Sequence, residues 1–227
     1  MVLPVKVFEI RGLEGDPRER LTGFQEAEPV EGEEMELLTR ILDLEQQEDM
    51  IHGVFAKDFL REITYRRQVI TNATTEEAPF WTVKEDERDF LIVMAPSTAR
   101  GVKKLLSNNI AVKIGEILNV DVRESRITSE TLQKLHESNP QSTNLIWFDN
   151  MDLPGVNKLC LSGEGLADTG QYRDYIDHGM IWYVVFTSQK SGYTVGVTRN
   201  SVVTNFSKST EEEFVEFVRE EILPLIE

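Results

Sequence analysis

One cysteine in 227 residues, Cys160, rules out an intramolecular disulfide and any zinc site built from several thiolates. Lying in Lys158-Leu159-Cys160-Leu161, it reads as a small buried residue and not as a nucleophile. The three histidines, His52, His136 and His178, fall at a turn, a helix end and a helix stop, and no nucleophile neighbours them in the sequence. No apolar run approaches the roughly 18 residues of a membrane span. The opening Met-Val-Leu-Pro-Val-Lys-Val-Phe-Glu lacks the charged start and long apolar centre of a signal peptide. A cytoplasmic protein without membrane contact is the expectation.

Nucleotide and metal motifs are also scarce. There is no G-x-x-x-x-G-K-[ST] segment, which excludes a P-loop. Gly163-Glu164-Gly165-Leu166-Ala167-Asp168-Thr169-Gly170 has glycines at the wrong spacing for a dinucleotide loop, and Glu164 and Asp168 would repel phosphate. A turn and helix cap is the better reading. Asp149, Asp152, Glu164, Asp168, Asp174 and Asp177 supply oxygen ligands of the kind magnesium uses, at spacings that match no metal motif. No metal and no cofactor is expected.

Charge of one sign dominates what is present. The net charge is −16, from 40 acids and 24 bases. Residues 1–50 hold 14 acids and 5 bases, residues 51–130 hold 12 of each, and residues 131–227 hold 14 and 7. Such a surface opposes duplex binding over a broad face, because that affinity comes from neutralising phosphates. A local basic spot is still open to a phosphate or a short single strand.

The most informative stretch is 89–118. Asp89–Ala95 is an apolar run of strand length, which Pro96 closes because proline cannot donate to a sheet ladder. Ser97 or Thr98 then offers a cap to a helix whose Val102, Leu105, Leu106, Ile110, Ile114, Ile117 and Leu118 form one apolar stripe. Arg100, Lys103 and Lys104 occupy its opening turns, with no acid between Asp89 and Glu116. Cations against the positive end of a helix dipole are unfavourable by about 0.3–1 kcal/mol each. A bound phosphate would reverse that, so Ser97, Thr98, Arg100, Lys103 and Lys104 form the candidate anion site. Arg66 and Arg67 are a second basic pair, expected on a strand with their side chains on opposite faces.

The remaining patterns describe sheets closed by helices. Val5–Ile10 alternates as a strand, Gly12–Glu34 reads as a long acidic loop, and Glu36–Leu44 as a strand entering a hairpin. Phe80–Val83 and Phe90–Ala95 flank a charged reversal, Lys84–Arg88. In the second half Thr128 or Ser129 caps a short helix, and Leu145–Phe148, Lys158–Leu161 and Met180–Phe186 are strands. The last of these is expected to be central and covered on both faces. Tyr193–Val197 and Val202–Phe206 form a hairpin, and Ser209 with Glu212 a capping box for the final helix. Phe80, Trp81, Trp147, Trp182 and Tyr183 lie in strands, where core packing is the expectation.

The expected fold class is α+β, with antiparallel sheets packed against a few amphipathic helices. Residues 1–122 and 123–227 are its two parts, separate or continuous. The expected function is a non-catalytic subunit that docks on a larger protein and helps bind a nucleic acid or another phosphate-bearing ligand. The alternatives are an enzyme acting on a phosphorylated small molecule, with Asp149 or Asp168 for proton transfer, and an acidic inhibitor that resembles a polyanion.

Overall fold

A computed structural model describes residues 2–32, 34–47, 49–94, 106–138 and 142–227. In chain order the strands are β1 (Leu3–Arg11), β2 (Gln25–Pro29), β3 (Glu36–Gln47), β4 (Met50–Tyr65), β5 (Gln68–Glu85), β6 (Arg88–Met94), β7 (Asp121–Glu124), β8 (Thr143–Asp149), β9 (Leu159–Ser162), β10 (Met180–Thr187), β11 (Thr194–Thr198) and β12 (Val202–Asn205). The helices are α1 (Arg18–Leu21), α2 (Ser107–Leu118), α3 (Ser129–Ser138), α4 (Gly170–Ile176) and α5 (Glu211–Phe217). Among the described residues no helix is long and apolar enough to cross a membrane.

Strand accounts for 48% and helix for 25%, so the expected α+β balance is wrong and the fold is β-rich. Two segments explain the difference. The expected loop Gly12–Glu34 contains α1 and β2. Leu21 anchors it in the core, and β2 pairs from Gln25–Arg40 to Pro29–Glu36. An edge strand gains its stability from backbone pairing, so β2 needs no apolar face, and its Glu26, Glu28 and Pro29 discourage further pairing. Residues 50–85 form two uninterrupted strands of 16 and 18 residues, far beyond the usual five or six.

The chain divides into two compact units, Phe8–Arg123 and the pair of segments Met1–Val7 with Glu124–Glu227. In the first, the strand order is β2-β3-β4-β5-β6. Helix α2 lays Ile110, Ile114 and Leu118, spaced by four, against Phe55, Phe80 and Leu91 of the sheet. Fully burying each such side chain is worth about 1.5–3 kcal/mol. Gly115 permits the close approach of the segment after the helix, since a Cβ there would lie 3.0 Å from Val122 and 3.3 Å from the Val120 carbonyl. Asn119, at φ +52°, ends the helix in the left-handed conformation.

In the second unit Leu3–Asn205 opens the pairing of β1 with β12, and the order continues through β11, β10, β8 and β9. Thr128 and Thr169 cap α3 and α4 by accepting from the N–H groups of Thr131 at 3.1 Å and Tyr172 at 3.2 Å. The capping box of α5 is Thr210 with Glu213, one residue later than expected, because Ser209 is engaged by the Asn205 side chain at 2.8 Å. Strand β10 is central but not covered on both faces. Ile181, Val184 and Phe186 are buried, whereas Trp182, Tyr183 and Val185 are half-buried on the other side. Cys160, expected to be buried, is exposed on β9, because its side chain points away from the core at the end of the sheet.

His136 lies fully inside this unit, edge-on to Tyr172 at 4.6 Å, and neither ring nitrogen has a hydrogen-bond partner among the described residues. Burial pushes its pKa down to about 4 against the opposing charge of Glu137. A histidine with a folded pKa below its unfolded value carries no penalty above the unfolded pKa, near 6.5, and an increasing one as pH falls toward 4. The slope is about 1.4 kcal/mol per pH unit. His136→Phe should therefore flatten the dependence of the urea midpoint on pH between 6.5 and 4 while leaving stability at pH 8 equal or higher. An unchanged slope would show that the imidazole is not the group responsible.

Candidate interaction site: the β4–β5 arm

Ser97, Thr98, Arg100, Lys103 and Lys104 lie outside the described residues. Helix α2 starts at Ser107, after Leu106 in extended conformation with ψ 142°, so its first turn carries no cation. Among the described residues, no three of His, Cys, Asp and Glu come together as a metal site. Asp149 is held by the Arg199 guanidinium. The glycine-rich segment 163–170 is a turn followed by the α4 cap, with Gly165 at φ +61°.

The feature that stands out is one the sequence reading divided into separate pieces. Strands β4 and β5 pair without a register shift from Met50–Val83 to Tyr65–Gln68. Their neighbours stop early: β3 pairs with β4 only as far as Thr39–Lys57, and β6 with β5 only as far as Phe80–Val93. Among the described residues, no third strand is therefore paired with the seven pairs from Phe59–Thr74 to Tyr65–Gln68. At about 3.4 Å per residue this two-stranded arm is roughly 24 Å long. Ile63 is 48% exposed, Val69 65% and Ile70 39%, so the arm carries apolar side chains without a core.

Polar contacts fix its base. Asp58 accepts hydrogen bonds from the Leu38 N–H at 3.0 Å and the Thr75 hydroxyl at 2.7 Å, joining the end of β3 to both arm strands. Burial alone would raise its pKa, but these two donors and the Arg40 charge together hold it below the ordinary value. Next to it the buried carboxylate of Glu76 meets the Arg61 guanidinium at 2.8 Å. Removing a charge partner from a buried carboxylate typically costs several kcal/mol.

At the tip, Arg66 and Arg67 are the two central residues of the turn, with φ +50° and +68°, and not strand residues with side chains on opposite faces. A two-residue hairpin loop matched to strand twist requires positive φ at both positions, which Asn-Gly supplies at low cost. Arginine at both is strained by about 1–2 kcal/mol per residue.

One face of the arm continues the core. Side chains alternate along a strand, so Phe59 and Ile63 lie on the same side as the buried Phe55, and Ile70 is paired with Ile63. Phe55, Lys57 and Phe59 also line a groove of about 380 Å³ against Asn109, Val112, Lys113 and Glu116 of α2. Lys113 braces its wall through Glu26 at 2.6 Å and Glu116 at 3.1 Å, and hydrogen bonding to Glu26 raises its pKa. Val112, 61% exposed, adds an apolar rim.

The chain matches no family model and no curated protein. Its site is defined by geometry alone. In the second unit, half-buried Trp147, Trp182 and Tyr183 cluster with ring centroids 6.3 and 5.8 Å apart, and Lys158 stands 4.9 Å over Trp182. Phe80 and Trp81 pack in the core.

Because the tip is strained, Arg66→Asn with Arg67→Gly should strengthen the arm by about 1 kcal/mol or more. Amide hydrogen exchange at Gln68, Ile70 and Asn72, whose N–H groups face β4, should slow at least fivefold. Equal or faster exchange would mean that the arginine turn is not under strain.

Proposed function

We propose that this chain is a non-catalytic subunit that docks on a larger protein through the β4–β5 arm and helps hold a nucleic acid or another phosphate-bearing ligand. The observation that carries the docking part is the exposed pair Ile63–Ile70 on the face that continues from Phe55 and Phe59. A two-stranded ribbon by itself is marginal in water, and an exposed apolar stripe rimmed by polar groups is the usual mark of a protein contact. The occupant is an apolar segment of the partner laid along Ile63 and Ile70 beside the α2 groove.

The phosphate part assigns ligand contact to Ser97, Thr98, Arg100, Lys103 and Lys104, whose cations stand out in a chain of net charge −16. Restricting the cations to one spot suits a single phosphate or a short strand better than a duplex face.

Ile63→Asp and Ile70→Asp should each abolish stoichiometric co-purification of the partner from native cells without lowering Tm. If either variant retains the partner at wild-type stoichiometry, the arm face is not the docking surface. In a gel-shift series over salt concentration, Arg100/Lys103/Lys104→Ala should weaken binding of a short single strand and reduce the salt slope by about 2. An unchanged slope removes the phosphate assignment and leaves the docking assignment standing.

A further inference from the structure

The outer edge of β5 has a property that the arm face does not. By the alternation of an antiparallel ladder, and with Tyr65–Gln68 closing the loop as a hydrogen-bonded pair, the backbone groups of Val69, Thr71, Ala73, Thr75 and Glu77 point away from β4. Position 79 would point outward too, and Pro79 has no N–H to give, which fits the end of β6 pairing at Phe80. Between Gln68 and Thr75 this edge has none of the usual defences: no lysine, no proline, no glycine, no charge and no register shift. High strand propensity, no charge and no proline over eight residues is the pattern of a strand built to pair.

The ends of the edge carry opposite charges. Arg66-Arg67 precede the uncharged run and Glu76-Glu77 follow it, so the sequence Arg-Arg-Gln-Val-Ile-Thr-Asn-Ala-Thr-Thr-Glu-Glu is complementary to itself when reversed. We infer that the outer edge of β5 pairs antiparallel with the same edge of a second copy of this chain. Centred on Asn72, the register sets Thr71 against Ala73, Val69 against Thr75, and Arg67 of each copy against Glu77 of the other. Outward backbone groups then meet outward backbone groups, giving about eight main-chain hydrogen bonds.

Two chains of net charge −16 repel each other, and the arm is where contact is least opposed. Residues 59–74 contain three arginines and one glutamate. In this register each arginine tip lies beside the glutamate base of the other arm, so the closest charges are of opposite sign, and at a Debye length of about 8 Å the more distant acids are largely screened. The two-fold axis stands perpendicular to the ribbon, because directly opposed residues share a face. The Ile63–Ile70 pairs of both copies therefore lie on one side, which doubles the apolar face. Eight residues of edge bury far less than a standard interface, so the dimer is weak, with Kd on the order of micromolar.

Sedimentation equilibrium on the full chain from about 1 µM to about 200 µM tests this directly. Wild type should show a reversible monomer–dimer equilibrium. Thr71→Pro, which removes an outward N–H and leaves the β4 ladder intact, should be monomeric throughout, with circular dichroism confirming its fold. Arg67→Glu and Glu77→Arg should each weaken the dimer about tenfold, and the two together should restore it to within about threefold of wild type. A monomeric wild type at the highest concentration overturns the inference. So does a dimer that Thr71→Pro leaves intact, which would place the contact on another surface, or a charge exchange that fails to restore association.

Discussion

The unbroken ladder between β4 and β5 is the constraint on which the first unit depends. Side chains alternate along a strand with a period of two, so once Phe55 and Phe80 are committed to the core beneath α2, every residue outward to the turn has its face assigned. A slip of one residue would turn Phe80 away from Ile110 and Ile114 and separate Ile63 from Ile70. The core thus acts at a distance: burial at one end of the hairpin holds the exposed end in register, where no packing could do so. Asp58 reinforces this at the point where β3 ends, by tying Leu38 and Thr75 to β4.

The excess of acid is handled in two ways. Among the described residues, three carboxylates meet a base two residues away, in Glu9–Arg11, Asp16–Arg18 and Asp121–Arg123, and exposed pairs of this kind contribute little. Glu76 is different, because it is buried and Arg61 comes from the opposite arm strand. This contact therefore requires the hairpin to be closed, which couples the ion pair at the arm base to its register. The second unit holds a comparable internal tension in His136, whose buried ring lies edge-on to Tyr172 and has no hydrogen-bond partner among the described residues. Such a group stays neutral in the folded state and opposes folding wherever solvent would protonate it.

Much of the local structure was legible. Period-two alternation marked β1 and continuous apolar runs marked β6, β8 and β10, the charged reversal before Arg88 became a turn with Asp86 and Glu87 at positive φ, and Thr128 capped a helix as side-chain chemistry requires. The failures share a cause. Gly12–Glu34 lacks an apolar stripe, so β2 was invisible until β3 supplied a backbone to pair with. The α5 cap moved by one residue because Asn205, held at the end of β12, took Ser209. Arg66-Arg67 carries none of the Asn or Gly that announces a hairpin turn, and only the ladder on either side forces it into one. Cys160 looked like a core residue by composition and became a surface residue by its place on β9 near the end of the sheet.

The amino-acid sequence by itself determined the quantities that depend on neighbours a few bonds away: the apolar runs that became β6, β8 and β10, the charge of each segment, the absence of an intramolecular disulfide, and the reversed charges at the two ends of Gln68–Thr75. Tertiary structure alone decided that residues 59–74 stand as an arm. Exposed and covered stretches of a strand obey the same alternation and the same propensities, so nothing local distinguishes them. What distinguishes them is where β3 and β6 end beside the hairpin, and that is settled by segments up to about thirty residues away competing for the same backbone hydrogen bonds.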